Sequence, residues 1–128
     1  MKKIFSYLRK GGQYFPVIKV KIKYREKEIR LNALVDSGAS FSVFRPEIAN
    51  YLGIPLEKGK PIYLTGLGGR ILGYLHIIPV KVDGEEFKCK VVFSKELTIS
   101  FNLLGRDNFF LPFLISFSEK SRKVVLES

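Results

Sequence analysis

Apolar and polar residues alternate along most of this chain with a period of two, which is typical of strands that bury one face. The alternation extends over 15–24, 29–35, 62–82 and 87–94, and it returns over 113–117 and 124–126. Asp83-Gly84 separates two of these segments, and this dipeptide favours a two-residue hairpin turn. A further strand is predicted over 98–104. The pattern therefore predicts an all-β domain built from many short strands.

Helical signals are confined to two short segments. Pro46 suits the first turn of a helix over 47–52, and Gly53 suits its end. A second short helix is predicted over 106–110, before Pro112. We therefore expect an all-β, single-domain fold, either a closed barrel or a sandwich, with one or two short helices.

The length of 128 residues and the apolar content of 46% predict one domain with a real core. Residues 1–14 form a basic N-terminal arm or short preceding element, so the main domain is expected over 15–128. The apolar stretch near the N-terminus is broken by Arg9-Lys10 too early for a signal peptide. No apolar run reaches membrane-spanning length. We therefore expect a cytoplasmic protein with no membrane partner.

The chain has one cysteine and one histidine, and neither lies in a pattern that indicates a catalytic or metal site. Cys89 cannot form an internal disulfide, and it lies in an alternating run, so we expect a small core residue. His76 has no neighbouring Ser or Cys nucleophile signature, so we expect it to be a strand-surface or interface residue.

The net charge of +10 is concentrated near the N-terminus, where ten of the 22 basic residues lie within the first thirty positions. Lys19, Lys21 and Lys23 alternate with apolar residues, so they share one strand face. This face is either a solvated surface that discourages strand aggregation or a patch for nucleic acid or another polyanion. No helix-turn-helix, zinc-ligand or aromatic RNA-binding pattern accompanies the lysines. We therefore favour the solvated surface and expect no nucleic-acid partner.

The most informative stretch is residues 33–40, where an apolar strand leads directly into Asp36, Ser37 and Gly38. A carboxylate at the end of a buried strand is costly unless other groups hold it. Alone, the stretch is equally consistent with an ordinary strand-to-turn corner. Two later stretches change that balance: 62–74 has a glycine-rich tip between apolar strands, and 102–107 has two apolar residues, a glycine and Arg-Asp.

In this order and at this spacing, the three stretches resemble the retropepsins, the retroviral-type aspartic proteases and their cellular relatives. The resemblance covers residues 17–126 and implies a closed acid-protease barrel with Asp36 as the catalytic carboxylate. It implies that the catalytic loop is supported by Ser37, Gly38, Ala39, Leu103, Leu104 and Gly105. It assigns the substrate-covering flap to Thr65, Gly66, Leu67, Gly68 and Gly69, and makes Arg106 and Asp107 a structural pair. It implies neither a metal nor a cofactor.

Two carboxylates that share one proton can hydrolyse a peptide bond with one water. This chain contains one Asp-Ser-Gly motif, since Asp83-Gly84 lies in a polar turn. The second carboxylate must therefore come from another copy of the chain, which predicts a homodimer. The resemblance implies an aspartic endopeptidase that acts on extended polypeptide substrates.

This chain departs from the retroviral pattern at two places. Ser40 stands where the viral enzymes often have an acidic residue, so Arg106 needs a different partner. The C-terminal segment, 113–128, is longer than the viral interface strand. An alternative function is a non-catalytic or weakly catalytic module for peptide binding and dimerisation. The intact Asp36 and the glycine-rich tip favour the enzyme.

Overall fold

The computed structural model describes residues 1–66, 69–98 and 100–128. Its strands are β1 (Lys2–Ser6), β2 (Leu8–Lys10), β3 (Gln13–Phe15), β4 (Val17–Tyr24), β5 (Lys27–Val35), β6 (Ser42–Phe44), β7 (Lys60–Gly66), β8 (Gly69–Val82), β9 (Glu85–Phe93), β10 (Asn102–Leu104), β11 (Leu114–Ser118) and β12 (Lys123–Glu127). The helical elements are α1 (Pro46–Leu52), a 3-10 turn (Leu56–Lys58) and an irregular turn (Arg106–Phe110). These bounds confirm the all-β class with a few short helices.

Six strands close into a ring in the order β4, β5, β10, β6, β9, β8. The ring closes because β8 pairs with β4, where Lys81 lies opposite Lys21 and Val80 opposite Ile22. β7 pairs with β8 alone and extends outward as one arm of a hairpin. The pairs β5–β10 and β6–β9 are parallel, whereas the remaining neighbours in the ring are antiparallel.

The hydrophobic core joins the strands of this ring with β12, because alternate apolar side chains of these strands face one buried cluster. The largest fully buried side chains include Phe44, Phe93, Phe109, Ile18, Ile22, Leu104 and Leu126. Burial of each such side chain stabilises the fold by roughly 1.5–3 kcal/mol. No helix in the described part of the chain has the length and hydropathy that crossing a membrane requires.

The N-terminal residues pack against the C-terminal end of the chain. β1 pairs with β12, which also pairs with β11, so these three strands form a second sheet. Tyr7 is buried after β1, and its hydroxyl donates a hydrogen bond of 2.8 Å to the Glu119 carboxylate. Burial, together with this carboxylate, raises the pKa of Tyr7 to about 12. The basic segment over 1–14 is thus held by both backbone pairing and a buried side chain.

Three predicted elements differ from the observed ones. The segment 106–110, predicted as a second short helix, is an irregular turn in which Asp107 and Asn108 have non-helical φ and ψ. The helix begins at Pro46 and ends where Gly53 adopts a left-handed conformation, with φ of 75°. The strand predicted over 98–104 is shorter, since only Asn102–Leu104 of its described residues pair in the sheet. Before it, Ser94 accepts the Glu96 N–H at 3.1 Å and turns the chain away from β9.

Cys89 lies on β9 and is fully buried, as expected for a core residue. Burial raises the pKa of its thiol to about 12, so the sulfur stays protonated near neutral pH. Because the thiolate is the nucleophile, we expect the native protein to resist iodoacetamide at about pH 8 and to react fully in denaturant. Mass spectrometry of the alkylated chain measures this difference. Rapid alkylation of the native protein would contradict the buried position.

Candidate active site

Asp36 follows the last residue of β5 and begins the Asp36 loop, residues 36–40. Its backbone N–H donates to the Leu104 carbonyl at 3.0 Å, and its carbonyl accepts the Ala39 N–H at 3.1 Å. The Asp36 carboxylate accepts the Gly38 N–H at 2.9 Å through Oδ1. Asp36 is half-buried, whereas Ser37 and Gly38 are exposed. The loop is therefore a local turn that holds one carboxylate at the surface end of a buried strand.

β10 supports this loop from the neighbouring position in the ring. Leu103 lies opposite Leu34, and Leu104 lies opposite Val35, in a parallel pair. Gly105 follows β10, and its N–H donates to the buried Ser42 hydroxyl at 3.0 Å. The structure thus brings Leu103, Leu104 and Gly105, three residues that the resemblance assigns to loop support, beside the Asp36 loop.

Only a glycine fits at position 105 without displacing its neighbours. A Cβ atom at this position would overlap the backbone carbonyl of Phe41, which cannot move aside as the end of a flexible side chain would. Gly38 is also crowded, since a Cβ atom there would lie 3.3 Å from the Asp36 carboxylate oxygen. Gly105 thus permits the close approach of two backbone segments, and Gly38 permits the close approach of its own backbone to the Asp36 carboxylate.

The turn after β10 binds the far end of the Asp36 loop through backbone groups. The Arg106 N–H donates to the Ala39 carbonyl at 3.0 Å, and the Asp107 N–H donates to the Ser40 carbonyl at 2.7 Å. The Asp107 carboxylate lies 3.2 Å from the Lys90 ammonium, and the Arg106 side chain is exposed. Asp107 thus forms its ion pair with β9, and Arg106 contributes its backbone to the loop.

Two asparagines hold this framework together, and the sequence analysis assigned no role to either. Buried Asn102 accepts the Arg45 N–H at 2.9 Å and donates to the Asn32 carbonyl at 3.2 Å. Asn108 accepts the Lys90 N–H at 2.8 Å and donates to the Lys88 carbonyl at 3.0 Å. The sequence offered one indication of this role. Asn102 is a polar residue in a predicted strand, and a polar side chain that is buried needs hydrogen-bond partners.

A cleft of about 640 Å³ lies between the Asp36 loop and the β7–β8 hairpin, and we call it the hairpin cleft. Residues 38–41 line its floor, residues 63–65 line its roof, and residues 96–98 line one side. Glu96 also fixes the base of the hairpin, because its carboxylate accepts the Leu72 N–H. The volume lies within the range of ligand-binding clefts.

Of the predicted flap residues, Thr65, Gly66 and Gly69 lie at the end of this hairpin. Thr65 and Gly69 both line the hairpin cleft, and Gly66 pairs with Gly69 across the two strands. Gly69 has a φ of 102°, a conformation that favours glycine. Leu67 and Gly68 lie outside the described residues.

His76, the one histidine of the chain, does not line the hairpin cleft. His76 is half-buried, with Nε2 2.8 Å from the Leu56 carbonyl and its ring edge-on to Phe93. This contact positions the 3-10 turn. Within the described ranges, no group of three or more His, Cys, Asp or Glu side chains is arranged to hold a metal ion.

A family model described as aspartyl protease matches residues 18–107, which is more than half of the chain and includes the Asp36 loop, the hairpin and β10. The chain belongs to the aspartyl protease family. No curated protein is significantly similar in sequence to this chain.

Two solved structures resemble this aspartyl protease family member. A retropepsin-like aspartic protease from Rickettsia conorii is 20% identical with a TM-score of 0.67, and the match covers 98% of this chain and 89% of the other. The EIAV protease in complex with the inhibitor HBY-793 is 24% identical with a TM-score of 0.59, covering 78% and 89% respectively. At these identities, the two structures establish the retropepsin-like fold.

Proposed function

We propose that this chain is a homodimeric aspartic endopeptidase in which two Asp36 carboxylates, one from each subunit, activate one water. The observation that carries the proposal is the position of Asp36. It lies on a loop that β10 and the following turn hold by backbone hydrogen bonds, beside a cleft open to solvent.

The chemistry follows from placing two such carboxylates together. Two carboxyl groups about 3 Å apart cannot both ionise, so the pair holds one proton. The ionised group takes a proton from water while the protonated group hydrogen-bonds the scissile carbonyl oxygen. The resulting tetrahedral intermediate then collapses as the amide nitrogen takes up a proton and leaves. Two Asp36 side chains are sufficient for each of these proton transfers.

The hairpin cleft fits an extended polypeptide substrate. Its walls combine backbone groups of the Asp36 loop with apolar side chains such as Phe41, Leu64 and Ile71. An extended peptide can pair its backbone with such edges and place alternate side chains in pockets. The β7–β8 hairpin acts as the flap, with Thr65, Gly66, Leu67, Gly68 and Gly69 closing over the substrate and excluding water.

The second subunit approaches the exposed side of the Asp36 loop. A hollow of about 360 Å³ lies there, lined by Asp36, Ser37, Phe15, Phe117 and Glu119. Phe117 is exposed, and an apolar side chain beside a charged loop favours contact with a partner. In the dimer, Ser37 hydrogen-bonds the opposite loop and fixes the distance between the two carboxylates.

Digestion of an unstructured protein between roughly pH 3 and pH 8 tests this function, because a carboxylate pair works where it holds one proton. We expect cleavage with an acidic optimum and a specific activity that falls on dilution as dimers dissociate. Failure of a folded dimer to cleave at any pH would contradict the endopeptidase. That result would favour the peptide-binding module instead.

A further inference from the structure

A second cleft, of about 520 Å³, lies between β1 and the outer face of the ring. It shares no lining residue with the hairpin cleft. Five of the side chains that line it are cationic: Lys3, Lys19, Lys21, Arg30 and Lys81. We call it the cationic cleft. Its volume lies within the range of small-molecule sites.

Three of these cations lie side by side across three neighbouring strands. Lys21 on β4 is directly opposite Arg30 on β5, and it is also directly opposite Lys81 on β8. Directly opposed residues share one sheet face, and like charges in such positions are destabilising. Glu86 on β9 lies opposite Lys81 and offsets part of this repulsion, and a bound anion would offset the remainder.

The acidic groups near the cationic cleft are too few to neutralise it. Asp83 is the one carboxylate among its lining residues, and it lies 3.8 Å from Lys3. Glu28 lies 3.8 Å from Lys21 but does not line the cleft. Glu86 on β9 lies directly opposite Lys81, so five cations and three carboxylates leave a net charge of +2. Both ion pairs are long and solvent-accessible, so each contributes little.

We propose that the cationic cleft binds a compact multivalent phosphate anion, such as the triphosphate chain of a free polyphosphate or of a nucleotide. The Arg30 guanidinium can bind phosphate oxygens with two parallel hydrogen bonds, and the lysines supply point charges. All five cationic residues line one hollow of about 520 Å³, which favours a compact anion over a nucleic-acid strand that follows an extended track. This site is independent of the proposed protease chemistry.

Titration calorimetry with inorganic tripolyphosphate tests the site in the full chain. The variants are Lys21→Gln and Lys81→Gln, and the matched control is Lys23→Gln. Lys23 is on the same face of β4 but does not line the cleft. We expect the wild type and the control to bind, and each cleft variant to lose about tenfold in affinity, since each loses one charged hydrogen-bond donor.

A second measurement uses two of these variants without any anion. At low salt, Lys21→Gln should melt a few degrees higher than Lys23→Gln, because Lys21 lies opposite two cations whereas Lys23 lies opposite Glu28. ATP in place of tripolyphosphate identifies the source of the phosphate. If ATP and tripolyphosphate bind with equal affinity, the cleft recognises the phosphate chain alone. If ATP binds more tightly, the nucleoside also contacts the protein.

Three results would overturn the proposal. One is the absence of tripolyphosphate binding by the wild type. Another is an equal loss of affinity in Lys23→Gln, which would show that tripolyphosphate responds only to the net charge of the protein. The third is stronger binding of a single-stranded oligonucleotide than of tripolyphosphate, which would assign the surface to nucleic acid.

Discussion

Asp36→Asn is expected to lower the rate of polypeptide cleavage at least about 1,000-fold, because it removes both the general base and the shared proton. The substitution preserves the shape of the side chain. The new amide oxygen can still accept the Gly38 N–H, which donates to Oδ1 at 2.9 Å in the wild type. Cleavage of an unstructured protein at the optimal pH measures the loss, and circular dichroism confirms that the variant is folded.

Asp83→Asn is the matched control for this prediction. Asp83 lies in the turn between β8 and β9 with a φ of 57°, a conformation that Asn tolerates well. We expect its cleavage rate to equal that of the wild type. Equal rates for Asp36→Asn and the wild type would exclude Asp36 as the catalytic residue and indicate a different site or a contaminating protease.

Gly105→Ala is expected to lower the free energy of unfolding by about 3 kcal/mol, because its new methyl group must displace backbone. An added Cβ atom at Gly105 overlaps the carbonyl of Phe41. Relief of this overlap separates β10 from the chain that follows the Asp36 loop. Urea denaturation measures the loss of stability, and we expect cleavage activity to fall with it.

Gly84→Ala is the control for this second prediction. Apart from its two chain neighbours, no heavy atom in the described part of the chain lies within 4 Å of an added Cβ atom at Gly84. We expect its stability to stay within about 0.5 kcal/mol of the wild type. If Gly105→Ala unfolds at the same urea concentration as this control, the backbone around Phe41 is more adaptable than the structure indicates.

The class of the fold could be predicted because strand alternation is a local property of the sequence. The same is true of the turn at Asp83 and of the helix that begins at Pro46. The parallel pairing of β5 with β10 could not be predicted, since its partners lie about seventy residues apart and alternation does not specify which strands are neighbours. For the same reason, the pairing of β1 with β12 was not apparent.

Much of the candidate site could also be predicted, because Asp36 and Gly105 lie in short motifs with a recognisable order. The hydrogen bonds of Asn102 and Asn108 could not, since each amide meets backbone groups from strands distant in sequence. The cationic cleft shows the same limit. Lys21 was correctly placed on a polar face, but only the register across β4 and β8 brings Lys81 beside it.

The central claim is that one active site needs Asp36 from two chains, and subunit mixing tests it most directly. Wild-type and Asp36→Asn chains are denatured together, refolded at constant total concentration, and assayed for cleavage. If only dimers of two wild-type chains are active, an equal mixture retains about one quarter of the activity of the wild type. Retention of about one half would show that each chain carries an independent site, and it would contradict the shared pair of carboxylates.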